Sequence, residues 1–196
     1  MNGIRAFIAI ELAPNLRAEL VRLQTTIKLV AHCPAKWVAL ENLHLTLCFL
    51  GEITPLQVET VKNIMSKVGE RFAPLQLETS LLGTFPDSLQ PQTIWVGLGG
   101  NLVSLSELHR CLEMDLRVIG YLPEGRPFRP HLTIARVRQD AIPVARRELK
   151  EALSRLKAPL VQESVSGISL MQSTLSPSGA IYNRLCHARL SGGLSL

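Results

Sequence analysis

The chain has 196 residues, of which 46% are hydrophobic and 19% charged, so its composition is that of an ordinary globular domain and excludes a disordered protein. It carries 21 Lys and Arg against 16 Asp and Glu, and this net charge of +5 indicates an anionic partner such as a nucleic acid. No apolar run approaches the roughly 18 residues of a membrane span, and no secretory leader pattern opens the chain. We therefore expect one cytoplasmic domain over residues 1–196, without a membrane partner.

Cysteine and histidine spacing argues against a metal site. The four cysteines are Cys33, Cys48, Cys111 and Cys186. They form no CxxC pair, so we expect free, mostly buried thiols and neither a zinc ribbon nor a disulfide framework. His32, His109 and His187 each lie near a cysteine, but no two of these pairs share a recognised ligand spacing. We expect no metal and no cofactor.

The first half of the chain alternates predicted strands and helices. Leu16, Leu20, Leu23 and Ile27 have helical spacing, and Thr54 to Gln57 form a capping box with proline at the first helical position. In chain order, we predict a strand over 6–12, a helix over 14–30, a short edge strand over 36–38, a strand over 43–49 that Gly51 ends, a helix over 54–72, and strands over 75–82 and 93–98.

The second half continues in the same way. Ser104 and Glu107 form a second candidate capping box for a helix near 102–119. A proline-rich loop over 123–130 then precedes a strand over 131–137, a helix over 143–157, and strands over 164–170 and 181–190 joined by a turn from Ser176 to Gly179. Strands and helices mix throughout, with no linker or low-complexity tract between them.

The chain contains an internal repeat. A strand around Phe7, a helix and His44-Leu45-Thr46-Leu47 are echoed by a strand around Ile94, a helix and His131-Leu132-Thr133-Ile134. The two histidines lie 87 residues apart, as do Phe7 and Ile94. This weak similarity predicts two equivalent half-units, with the histidine strands related by a pseudo-twofold axis.

Each tetrapeptide places a histidine and a threonine on one strand face. Alternation predicts that His44, Thr46 and Cys48 share that face, while Leu47 and Phe49 point into the core. A single such motif is most often a half-exposed histidine beside a β-forming threonine. Two separate copies would arise by chance in fewer than about one in ten thousand sequences of ordinary composition, so we interpret them as a symmetric phosphate clamp.

Two facing histidines suit displacement at phosphorus. Imidazole titrates near pH 6.5 and can act as a neutral base or as a charged acid. An in-line displacement needs one base and one acid, on opposite sides of the phosphorus atom.

At these motifs the chain resembles the 2H phosphoesterases, and among them the RNA 2',3'-cyclic phosphodiesterases, historically called 2'-5' RNA ligases. The resemblance extends over about residues 4–187. It rests on the segments Arg5 to Ile10, Trp37-Val38, Glu41 to Glu52, Ile94 to Gly97, and Arg126 to Arg136. It implies an α+β fold, in which two pseudo-symmetric lobes of antiparallel sheet with outer helices surround a central cleft.

The resemblance also implies residue roles. His44 would be the general acid that protonates the 3' leaving oxygen, His131 the general base that activates water, and Thr46 and Thr133 would hold the non-bridging oxygens. The order of acid and base is a choice between two near-equivalent histidines, and either order fits the sequence.

Four further residues are candidates for substrate binding. Arg129 and Arg5 are candidate phosphate contacts, because arginine binds phosphate oxygens bidentately. Phe128 and Trp37 are candidates for stacking on a terminal base. Solvated arginines and core or rim aromatic residues are the ordinary alternatives for these four.

We therefore predict a monomeric, metal-independent hydrolase that opens RNA 2',3'-cyclic phosphate ends to 2'-phosphates. Three alternatives stay open from the sequence: ligation of RNA ends through a 2'-5' linkage, hydrolysis of a small cyclic phosphate, and a non-catalytic binder of RNA ends. The sequence contains no glycine-rich phosphate loop, so nothing supports an ATP-dependent ligase.

Overall fold

The computed structural model describes residues 3–123, 125, 127–177 and 179–193 and has an α+β fold. The strands are β1 (Ile4–Glu11), β2 (Ala35–Trp37), β3 (His44–Ile53), β4 (Leu75–Phe85), β5 (Thr93–Gly100), β6 (His131–Val137), β7 (Gln162–Val165), β8 (Gly167–Ser176) and β9 (Gly179–Arg189). The helices are α1 (Pro14–Val30), α2 (Pro55–Gly69), α3 (Leu102–Asp115) and α4 (Pro143–Arg155). Short 3-10 turns cover Leu40–Asn42 and Leu116–Ile119.

All strand pairs are antiparallel and form one sheet in the order β7-β4-β5-β6-β3-β1-β8-β9, with β2 also paired to β6. Apart from β2, which lies beside β6, the sheet has two four-stranded lobes, which meet where Leu45 of β3 pairs with Leu132 of β6. These leucines hold equivalent places in the two motifs, so the pairing sets equivalent residues opposite each other, as a twofold axis requires. Both are fully buried. The predicted pseudo-symmetry is confirmed.

The helices cover the outside of the sheet in two pairs. Helix α1 packs against α4 and β6, whereas α2 packs against α3, β8 and β9. Leu16, Leu20, Leu23 and Ile27 of α1 are buried, as their spacing predicts. Burying these apolar stripes against the sheet is the main source of stability for the helices.

A β-bulge in each histidine strand corrects the predicted face assignment. Between the pairs Ile8↔Cys48 and Ala9↔Thr46, residue Leu47 is unmatched on β3. The extra residue reverses the alternation, so Cys48 is buried and Phe49 is 54% exposed, the opposite of the prediction. Strand β6 has the same irregularity at Ile134.

The bulges also correct the strand alignment of the repeat. Ile8 pairs with Cys48 and Ile94 pairs with Ala135, and these two partners are 87 positions apart, like the histidines. The equivalent of Ile94 is therefore Ile8, one residue from the predicted Phe7. The alignment of Phe7 with Ile94 by spacing was therefore wrong by one position. Equivalent residues of the two lobes are identified by how the strands pair, and spacing along the chain does not determine strand pairing.

Several predicted boundaries held and others moved. The capping box of Thr54 and Gln57 is present at the start of α2. The second capping box was wrong: α3 begins at Leu102, and the side-chain oxygen of Asn101 accepts a hydrogen bond from the backbone N–H of Gln76. Strand β3 does not end at Gly51 but runs to Ile53, and this glycine adopts a φ of 68° that favours glycine.

The strand predicted over 164–170 is two strands. Strand β7 pairs with β4 and β8 pairs with β1, with Ser166 between them. The chain thus crosses from one lobe to the other at this residue. The pattern of apolar residues cannot reveal this change of pairing strand, because β7 and β8 each bury one face whichever strand they pair with. No helix in the part of the chain that the structure describes has the length and apolarity of a membrane span.

Candidate active site

Both motif histidines are fixed by the same local hydrogen bond. Nδ1 of His44 lies 2.7 Å from the carbonyl oxygen of Asn42, and Nδ1 of His131 lies 2.7 Å from that of Arg129. A carbonyl oxygen can only accept, so Nδ1 carries the proton in each ring. In the neutral form Nε2 then has a free lone pair, and in the charged form it carries a transferable proton. Each histidine can therefore act as base or acid through Nε2.

Two aromatic rings pack against each histidine. His44 contacts Phe7 and Tyr182, with ring centroids 4.9 and 5.4 Å apart. His131 contacts Phe85 and Trp95, at 5.0 and 6.3 Å. Two neighbours per ring restrict its rotation, which keeps Nε2 in a fixed direction.

The two threonines lie beside the histidines on the central strands. Thr46 and Thr133 are half-buried, and their hydroxyls have no hydrogen-bond partner among the residues described. Because β3 and β6 run antiparallel through the Leu45↔Leu132 pair, the residue before one leucine lies nearest the residue after the other. Each histidine is thus brought beside the threonine of the other motif, and the four side chains can surround one phosphate.

A cleft of about 580 Å³ opens beside this group. Thr46 and His131 line it together with Arg129, which is exposed and has no ion pair with any described carboxylate. Phe128 lines it as well, but one face of its ring is stacked on His109 at 3.9 Å. That leaves only the opposite face of Phe128 for a base.

A smaller depression of about 240 Å³ lies beside Phe7 and Tyr182, the two rings that pack on His44. Arg5 lines it, with Arg136, Ser173 and Tyr182. Burial lowers the pKa of His44 more than its bond to Asn42 raises it, and the positive charge of Arg136 is a further, lesser cause of the lowering. The neutral form of His44 is favoured as long as no anion lies nearby.

Trp37 lines neither of these two cavities. It belongs to β2, pairs with Ala135 of β6, and the ammonium of Lys28 lies 5.0 Å from its ring centroid. Its role in stacking stays a prediction. Arg126, part of the motif that carries the resemblance, lies outside the described residues.

Sequence reasoning missed His109, which does more than line the cleft. Its imidazole lies near the backbone of Leu47, the bulged residue of β3, and burial lowers its pKa. In the other lobe Gln24 donates to the carbonyl of Ile134, the bulged residue of β6, at 2.9 Å. A helix side chain thus approaches the backbone at each bulge, and neither residue has a motif that could have revealed it.

No group of three or more potential metal ligands occurs among the described parts of the chain, and all four cysteines are free. Burial raises the pKa of the Cys48 thiol to about 12, so this residue is not a nucleophile in the cleft. The chemistry that the site offers is proton transfer by imidazole and anion binding by hydroxyl and guanidinium groups.

Comparison with known proteins identifies the family of this chain. The family model described as LigT like phosphoesterase matches residues 10–95 and 101–182. An RNA 2',3'-cyclic phosphodiesterase of Methanothermobacter thermautotrophicus is 34% identical over 91% of this chain and 95% of its own length. The enzyme of that name from Aeropyrum pernix is 36% identical over 80% of this chain and 88% of its own.

Solved structures show the same fold. The Thermus thermophilus protein TT0787 has a TM-score of 0.78 and 27% identity, covering 96% of this chain and 98% of its own. Escherichia coli LigT, crystallised with 3'-AMP, has a TM-score of 0.76 and 23% identity, covering 96% and 99%. With a family match over most of its length, this chain belongs to the LigT-like phosphoesterases.

Proposed function

We propose that the protein hydrolyses the 2',3'-cyclic phosphate at the end of an RNA and leaves a 2'-phosphate. The observation that carries this proposal is the pair of histidines, each with Nδ1 bonded to a backbone carbonyl and Nε2 left for chemistry. Relatives at 34% and 36% identity bear the name RNA 2',3'-cyclic phosphodiesterase, which supports it.

In the proposed reaction His131 is the base and His44 the acid. Nε2 of His131 takes a proton from a water molecule as the water oxygen attacks phosphorus. The P–O3' bond breaks on the opposite side, and Nε2–H of His44 delivers its proton to the leaving O3'. Thr46 and Thr133 donate hydrogen bonds to the non-bridging oxygens, where negative charge accumulates in the transition state.

Binding of the substrate prepares His44 for its role. Without substrate, burial favours neutral His44. The cyclic phosphate brings a negative charge next to the ring, and a nearby opposite charge favours imidazolium. The acid is thus formed where the leaving oxygen needs it. His131 lines the larger cleft and His44 does not, which supports the assignment of water activation to His131.

Substrate binding would use groups on the rim of the cleft. Arg129 lies next to the His131 strand and supplies a guanidinium for phosphate oxygens. The free face of Phe128 offers a surface for the terminal base. Both fit RNA, whose ends combine an anion with an unstacked base.

We further propose that the protein acts as a cytoplasmic monomer. Both HxT motifs come from one chain, so no second copy is needed to complete the clamp. Four free cysteines are typical of a reducing compartment.

The test is to incubate the protein, in chelator, with a short RNA that ends in a 2',3'-cyclic phosphate. Product mass shows whether water is added, and chromatography against standards shows which oxygen keeps the phosphate. A 2'-phosphate is expected. A 3'-phosphate would overturn the proposed direction of opening. Tight binding without turnover would favour a non-catalytic RNA-end binder, and joined RNA ends would favour ligation. Turnover of small cyclic phosphates alone would exclude RNA as the substrate.

A further inference from the structure

A second, cationic depression lies on the His44 side of the active site. Its volume is about 240 Å³, and Arg5, Arg136, Ser173 and Tyr182 line it together with Phe49. We infer that this depression binds a phosphodiester of the RNA upstream of the reacting end, so that the enzyme prefers oligonucleotides to mononucleotides. The inference rests on the proposed function, because it states where the RNA strand that carries the cyclic phosphate binds.

The depression is continuous with the catalytic group. Phe7 and Tyr182 form part of its wall, and the same two rings pack on His44 at 4.9 and 5.4 Å. Phe49 lines both this depression and the larger cleft. A chain whose end is held between the histidines can therefore pass over Phe49 and reach the arginines without leaving the protein surface.

The positive charge of the depression favours binding of an anion. Neither Arg5 nor Arg136 has an ion pair with any described carboxylate, although Glu52 lies opposite Arg5 on β3. Lys36, which is exposed, pairs in register with Arg136 and adds a third cation beside it. Two unpaired guanidiniums at one depression repel each other, and a phosphate between them removes that repulsion while accepting their hydrogen bonds.

The polar groups around the arginines also match a phosphodiester. Ser173 and Tyr182 can donate hydroxyl hydrogen bonds to the same oxygens. Phe49, 54% exposed, offers its ring to a base or ribose. A cation pair beside an exposed aromatic ring is the combination with which proteins bind single-stranded nucleic acid.

The test compares two substrates in the whole protein. One is a mononucleoside 2',3'-cyclic phosphate, which has no upstream phosphodiester, and the other is a trinucleotide with the same end. We expect the ratio of their kcat/KM values, trinucleotide over mononucleotide, to fall about tenfold in Arg136→Gln, as for one charge-assisted hydrogen bond. Arg5→Gln should lower the same ratio. An unchanged ratio in both variants would overturn the inference.

Arg138→Gln is the matched control. It removes the same charge close by on the chain, but Arg138 is exposed and already bonded to Asp140 at 2.8 Å. The ratio of kcat/KM values for this variant, trinucleotide over mononucleotide, should stay at the wild-type value. A fall equal to that of Arg136→Gln would show that the effect comes from the loss of net charge alone, and it would overturn the inference.

A binding measurement separates this inference from the proposed function. The probe is a fluorescent trinucleotide that ends in a 2'-phosphate, which the proposed reaction cannot consume. Weaker binding in Arg136→Gln, with a salt dependence reduced by about 0.7 in logarithmic slope, supports the depression even if the wild-type protein hydrolyses nothing. Equal binding and equal salt slopes in the two proteins would overturn it, whatever the activity.

Discussion

Replacing each motif histidine by alanine tests the proposed mechanism most directly. General acid or base catalysis contributes about 10²–10⁴ in rate, or about 2.7–5.5 kcal/mol, so His44→Ala and His131→Ala should each lower kcat by that factor. Both protons move in one displacement. The double variant should therefore lose little more than the worse single variant, far less than the product of the two factors.

The loss must be separated from a loss of folding. His44→Ala removes one hydrogen bond and two ring contacts, which are worth about 1 kcal/mol and about 0.5–1.5 kcal/mol each. The total of roughly 2–4 kcal/mol lies below the roughly 5–15 kcal/mol of a typical domain, so the variant should stay folded.

Activity is measured as the opening of a mononucleoside 2',3'-cyclic phosphate, followed by chromatography, and folding by circular dichroism and the melting temperature. His32→Ala is the matched control, because His32 is exposed and outside both motifs. It should keep wild-type kcat. The mechanism would be refuted if a folded single variant kept more than about a tenth of wild-type kcat, or if the two losses multiplied in the double variant.

Three further predictions concern single groups. Arg136→Gln removes a positive charge that disfavours the imidazolium of His44, so an NMR titration should show the pKa of His44 moving upward, whereas Arg138→Gln should move it less; a fall would contradict the assigned cause. Thr54→Ala removes the helix cap and should cost about 1 kcal/mol and about 2–4 °C in melting temperature, with Thr54→Ser nearly unchanged. Cys48, buried and with its pKa raised to about 12, should resist thiol reagents at pH 8 in the native protein, as seen by mass spectrometry, and rapid labelling would show that the strand opens.

The symmetry of the fold was predictable because it depends on sequence patterns that span only a few residues. Two identical His-x-Thr motifs, each in an alternating apolar strand, predict that β3 and β6 are equivalent, and their pairing at Leu45 and Leu132 confirms it. The apolar stripe of α1 and the cap at Thr54 are also local and also correct. Such features depend on residues within one or two turns of the chain.

The cleft walls were not predictable in the same way. A β-bulge depends on how a strand pairs with its neighbour, and an apolar sequence such as Leu47-Cys48-Phe49 alternates equally well with or without one. The alternation therefore placed Cys48 in the cleft and Phe49 in the core, and both assignments were wrong. Tyr182 reaches His44 from β9, 138 residues along the chain, and no local pattern records that contact.

The bulges also explain how a symmetric fold can hold an asymmetric substrate. In the proposed reaction the groups that act on phosphorus are the same in both lobes, since attack and departure occur on opposite sides of one atom and each needs an imidazole. Just after the bulge, at positions 87 residues apart, the lobes differ: Phe49 in one and Arg136 in the other, both exposed. An RNA end has a base on one side and a charged backbone on the other. The residues that meet these parts must therefore differ, and a substitution that makes the two positions alike should change which substrates bind.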